Sequence, residues 1–105
     1  MTRDDILKLA EEYCEILESH GHKAEHVSNI HHRINPLSAP DRQMLLRHAR
    51  WACEHVPTEI DRIGGHQRCM RWIGTIQGTL TAYGLLTVAE ARARFSEFSA
   101  LSLLS

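Results

Sequence analysis

From Ser38 to Gly84 the apolar side chains recur every three or four residues, and one glycine pair, Gly64-Gly65, interrupts the pattern. Such a period collects side chains on one face of a helix. The spacing therefore predicts two helices on either side of a break. In SAPDRQMLL, Ser38 can cap, Pro40 falls in the first turn where its missing N–H costs nothing, and Asp41 stands three residues on from Ser38. Helix 3 is expected over 39–56, lined by Met44, Leu45, His48, Ala49, Ala52, Cys53 and Val56, with Pro57 closing or kinking it. Residues 58–63 suit a short helical turn. Helix 4 is expected over 66–83, with Met70, Ile73, Ile76, Leu80 and Tyr83 as its spine and Gly84 as a left-handed C-terminal residue.

The flanks carry the same kind of signal. Thr2 and Asp5 form a capping box for helix 1, expected over 3–19 and stopped by Gly21. Val27, Ile30 and Ile34 make a narrow stripe, so a second helix over 22–34 is expected, ended by Asn35-Pro36. Thr87 and Glu90 form another capping box, opening helix 5 at 88–98 ahead of an apolar tail, SALSLLS. No alternating β-branched run and no Asn-Gly or Asp-Gly turn competes. The expected fold is an all-α single domain over 1–105, a small bundle of four to five helices with helices 3 and 4 as an antiparallel hairpin.

Three glycines fall in RWIGTIQGTLTAYG, residues 71–84. A phosphate loop needs a preceding strand and a Lys-Ser/Thr pair, and neither is there. A membrane dimer motif needs an apolar 20-mer, which Gln67, Arg68, Arg71 and Gln77 exclude. Gly74, Gly78 and Ala82 are four apart and share a face, so a packing seam is expected. It would receive helix 3 of the same chain or helix 4 of a second subunit.

Charge is uneven. Residues 1–25 carry a net −4 and residues 26–75 a net +3. The acidic first helix can complement the basic middle within one chain or across a dimer, or the middle can meet an acidic partner. Nucleic acid is the weaker candidate, with only two lysines and no block of like charge. Three widely spaced cysteines suggest reduced thiols. The acidic N-terminus does not read as a signal peptide, and no run reaches the ~18 apolar residues of a membrane helix. A cytoplasmic location in a bacterial host, with no membrane contact, is expected.

Five histidines crowd into a thirteen-residue window: His20, His22, His26, His31 and His32. His22 and His26 have the spacing of a helical two-ligand zinc pair, but the second short ligand pair of a structural site is missing. Surface histidines, a metal site and a pH-sensing cluster are all open readings. Cys53-Glu54-His55 has the residue types of a thiol nucleophile and base. Adjacent helical residues point about 100° apart, however, and Cys53 lies on the apolar stripe. No enzyme and no cofactor is expected. Trp51 and Trp72 each follow an arginine at the edge of an apolar stripe, and read either as core or half-buried side chains or as interface anchors, where Trp and Arg are over-represented. With helices 3 and 4 antiparallel, Arg47, Arg50, Arg68, Arg71 and Trp72 would form a partner-binding patch; alternatively these arginines pair with Glu11, Glu15 and Glu18.

The blocks HRINPLSAPDRQ (32–43) and RCMRWIGTIQGTLTAYGLLTVAEAR (68–92) together resemble short proteins encoded by phages and prophages of proteobacteria, to which no activity is attached. The resemblance spans residues 32–94 and transfers no site residues. It implies a context: small phage proteins of this type often bind a host protein to block or redirect it. A host protein or complex, such as a CRISPR effector, is thus the expected partner, with an inhibitory, anti-CRISPR type of role. At a net charge of −1 the chain is not an acidic DNA mimic. Homodimerisation through helix 4 or the tail is a further expectation. The rival classes are a small DNA-binding regulator and a metal- or pH-responsive module.

Overall fold

A computed structural model describes residues 1–26 and 37–93. They form three long helices, α1 (Arg3–Ser19), α2 (Ala39–Glu59) and α3 (Gly65–Ala82), and a further helical segment, α4, at 88–93. No strand occurs among the described residues, in line with the all-α reading.

Local chemistry fixes most of the ends. The Asp5 amide donates to Thr2 Oγ1 at 3.2 Å while the Thr2 amide donates to Asp5 Oδ2 at 2.9 Å, closing the expected capping box. Thr87 and Glu90 repeat it ahead of α4, at 3.0 and 3.4 Å. α1 and α3 end alike. Gly21 and Gly84 adopt φ of 79° and 76°. Their amides reach back to Glu18 and Thr81, and the next amides, of His22 and Leu85, reach Leu17 and Leu80. Both ends thus satisfy otherwise orphaned carbonyls, and only glycine takes the left-handed position without steric cost. Ser38 occupies the N-cap position of α2 but makes no side-chain capping bond.

One cluster of buried side chains joins the helices. α1 contributes Ile6, Leu9, Tyr13 and Leu17, α2 contributes Leu46, Cys53 and Val56, and α3 contributes Cys69, Ile73, Ile76 and Leu80. Leu86 and Ala91 complete it from the C-terminal side. Arg3 grips Asp61 with two hydrogen bonds, of 2.8 and 2.9 Å, tying the start of α1 to the turn after α2. Cys69 lies against the Val56 carbonyl, Trp51 against Trp72, and the Arg42 guanidinium over the Tyr83 ring.

The structure departs from the sequence reading in several places. Pro57 does not stop α2, which continues to Glu59. Val56 and Ile60 are four apart and both buried, and the Ile60 amide still bonds the Val56 carbonyl at 2.9 Å. Burial of Ile60 outweighs the one backbone bond that proline forfeits. Cys69, not Met70, belongs to the α3 core; Met70 is exposed. Residues 22–26 are not helical, and the rest of the expected 22–34 helix lies outside the described residues, as does the end of helix 5.

The glycine face is the largest revision. Ile73, Ile76 and Leu80 turn α3 toward the core, and Gly74 and Gly78 lie on the opposite side, exposed. Among the described residues nothing comes within 4 Å of a Cβ added at either position. The seam does not receive α2. The double variant Gly74→Ala, Gly78→Ala should therefore stabilise the protein by roughly 2 kcal/mol, about one per glycine, since alanine gains helix propensity without a clash. Urea denaturation checks this; a loss of stability would mean that another surface uses the face.

Candidate interaction site

The segment after α1 folds back over the middle of α2. Gly21 reverses the chain, and three polar contacts then hold residues 22–26 in place. Arg50 Nη1 donates to the His22 carbonyl at 2.6 Å. The Glu25 amide donates to the Arg47 carbonyl at 3.1 Å, and the Arg47 guanidinium meets the Glu25 carboxylate at 3.4 Å. This delivers His26 to the indole of Trp51, with ring centroids 4.4 Å apart.

Trp51 is the centre of a ring cluster. His48 and His55 lie one turn before and after it on α2, stacked against it at centroid distances of 5.7 and 4.1 Å. His55 Nδ1 also bonds the Trp51 carbonyl at 2.8 Å. Trp72 approaches from α3 at 6.0 Å, tilted by 50°. Both tryptophans are only half-buried. Beside them, Trp51, Trp72, His26, His48, Thr75 and Ile76 line an open cleft of about 330 Å³. Arrays of large, rigid rings that keep part of their area in water are typical of recognition surfaces.

The expected arginines are placed unequally. Arg47 and Arg50 border the cluster but are engaged, Arg47 with Glu25 and Arg50 with Glu54 at 3.1 Å and Glu18 at 4.0 Å. Arg68, one turn before Trp72, pairs with Glu59, which also meets Arg62 at 3.4 Å. Of the pairings expected with α1, only that of Arg50 with Glu18 forms; Arg47 and Arg68 take their carboxylates elsewhere. Arg71 is exposed, with no ion pair among the described residues. It projects toward the glycine side of α3 and not toward Trp72, since adjacent helical residues diverge by about 100°. The structure thus sets Arg47 and Arg50 against residues 22–26 and brings Trp72 to the ring cluster from α3, with Arg68 one turn before it and Arg71 turned away.

His22 and His26 do not have helical spacing, because 22–26 is irregular. Among the described residues no three His, Cys, Asp or Glu side chains converge on a point that could hold a metal. His31 and His32 lie outside those residues. Burial raises all three thiols above their ordinary range, Cys53 to about 12. Cys53 therefore stays a protonated core group with no nucleophilic character at neutral pH.

Sequence reasoning singled out Trp51, Trp72 and the flanking arginines but missed the rings around them. A signal existed: His48, Trp51 and His55 are spaced three and four apart, one stripe of rings on one helix. That His26 joins them from outside the helix has no local signal.

An open groove of about 440 Å³ follows the other side of α3, between Gly74, Gly78 and Thr81 and the α4 residues Val88, Ala91 and Arg92. Gln77 Nε2 crosses toward α4 to donate to the Ala91 carbonyl at 3.1 Å. No helix of the described residues is long and apolar enough to cross a membrane. Comparisons with protein-family models, with curated proteins and with solved structures found no match.

Proposed function

We propose that this chain is a non-enzymatic interaction module that docks a partner protein on the ring cluster of α2 and α3. The observation that carries the reading is the pair of half-buried tryptophans, Trp51 and Trp72, beside one open cleft. Partly exposed tryptophans flanked by arginine are the residue types that dominate binding energy at protein interfaces. We read α2 and α3 as an antiparallel hairpin. The contacts of residue 42 with 83, 51 with 72 and 56 with 69 run in opposite chain order and support it. Such a hairpin is a rigid platform for the two indoles.

The resemblance to phage proteins makes the partner a host protein or complex in the bacterial cytoplasm, with a component of a defence system such as a CRISPR effector the leading class. Inhibition would then act by steric or allosteric blocking. The rival reading as a DNA-binding regulator is weakened by the engagement of Arg47, Arg50 and Arg68 with carboxylates, which leaves fewer cations for phosphates.

Affinity capture of the tagged full-length chain from host lysate tests the proposal, with Trp51→Ala, Trp72→Ala and Arg71→Ala alongside. One host protein or complex should be enriched by wild type and by Arg71→Ala, and reduced at least ~tenfold by either tryptophan variant that keeps its helical circular dichroism. No specific enrichment, or enrichment indifferent to both tryptophans, would overturn it. Salt-dependent retention of duplex DNA would favour the regulator.

A further inference from the structure

The ring cluster is covered from one side by residues 22–26, and that cover is built from titratable groups. His26 lies on Trp51, and its ring centroid is 5.7 Å from that of His48. Both imidazoles thus share one indole at close range, His48 half-buried and His26 exposed. We infer that residues 22–26 form a pH-labile strap: while His48 is neutral the strap stays packed over Trp51, and protonation of the half-buried His48 beside it in mild acid lifts it and uncovers the indole.

The charges around the strap set the direction. From the strap come His22, Lys23, Glu25 and His26. From α2 come Arg42, Arg47, His48, Arg50, Glu54 and His55, and from the end of α1 come Glu18 and His20. From α3 the cleft is faced by Trp72, Thr75 and Ile76, none of which titrates in this range. An imidazolium at His48 gives up water where the ring is packed against Trp51 and the His26 ring. His48 is held below its ordinary range by burial first and by His26 second. His22 is held down by burial first, then by His20, Arg42 and Arg47. The folded state therefore favours the neutral forms of His48 and His22. The strap is fully held above the ordinary histidine value of ~6.5 and is lost as pH falls below it, through the depressed values of the closed state. Among the described residues, release is opposed by the exposed Arg47–Glu25 pair, which holds weakly, and by the hydrogen bonds to the backbone of His22 and Glu25.

The inference concerns the free chain and does not rest on the interaction reading; capture can fail while the strap stands, and the reverse. Nuclear magnetic resonance of the full chain at about pH 7.5 and about pH 5.2 brackets the histidine range. The expected result is a His26-to-Trp51 ring contact seen at the higher pH and lost at the lower. Protection of the Glu25 amide from exchange should fall ~tenfold, the consequence of one pKa step, with helical circular dichroism unchanged. In His48→Gln both the ring contact and the protection should survive at about pH 5.2. Three results would overturn the inference: an unchanged contact and protection in the wild type, the same loss in His48→Gln, or a parallel loss of helix.

Discussion

Gly65→Ala should lower stability by about 3 kcal/mol, the upper part of the range for overpacking a tight contact. Gly65 is buried at the start of α3. A Cβ there would overlap the Glu59 carbonyl oxygen and come within 2.8 Å of the Ile60 oxygen and 2.9 Å of the Ile60 carbonyl carbon. All three are backbone atoms, so no side chain can rotate away. The surrounding turn is itself bonded: Ile60 to Val56 at 2.9 Å, Arg62 to Glu59 at 3.0 Å and Gly65 to Arg62 at 2.8 Å. Relief would have to open that turn, draw Ile60 from the core and part Arg68 from Glu59. Gly64→Ala provides the comparison. Gly64 has a φ of 70°, but the nearest atom to its added Cβ is the tip of Arg68, at 3.8 Å. Only left-handed strain applies, about 1 kcal/mol. Thermal unfolding should therefore rank Gly65→Ala well below Gly64→Ala, with a drop of roughly 12 °C or more for the former. Near-equal midpoints would mean that the close approach of α3 to the end of α2 is wrong.

That pair also shows what local chemistry reveals and what it conceals. Two adjacent glycines announce a break between helices, and the break is there. That the first serves a left-handed backbone and the second a close approach is a tertiary fact. Capping boxes and C-terminal glycines depend on residues within one or two turns, so the ends of α1, the end of α3 and the start of α4 were legible to within a residue or so. Pro57 was misleading because the cost of one lost hydrogen bond is local, while the gain from burying Ile60 is not. Gly74 and Gly78 were misleading in the same way. Their spacing places them on one face, but spacing alone does not say whether that face looks inward. The answer lay in the stronger stripe of Ile73, Ile76 and Leu80, which claims the core and leaves the glycines opposite. At the candidate site Trp51 and Trp72 stood out by type, whereas the strap contacts of His22, Glu25 and His26 join residues far apart in sequence and have no periodic trace.

Leu80→Ala should cost about 3 kcal/mol, within the range for emptying a filled leucine site. Leu80 is fully buried, and Leu86 and Ile76 in the same cluster are almost as inaccessible. Its backbone carbonyl closes the end of α3 by accepting from the Leu85 and Leu86 amides, at 2.9 and 3.3 Å. Alanine keeps both bonds and has slightly better helix propensity, so the loss isolates side-chain packing. Met70→Ala is the matched control. The apolar spacing of the sequence puts Met70 on the same spine as Leu80, but in the structure Met70 is 40 % exposed and Cys69 takes the core position. Its truncation should stay within about 0.5 kcal/mol. Urea titrations with equal denaturant slopes would make the two values comparable. A Met70→Ala cost rivalling that of Leu80→Ala would place the first turns of α3 one residue out of register. Trp72, three residues past Cys69 and one turn before Ile76, would then rotate as well, so the same pair of variants bears on the geometry of the ring cluster without any partner in hand.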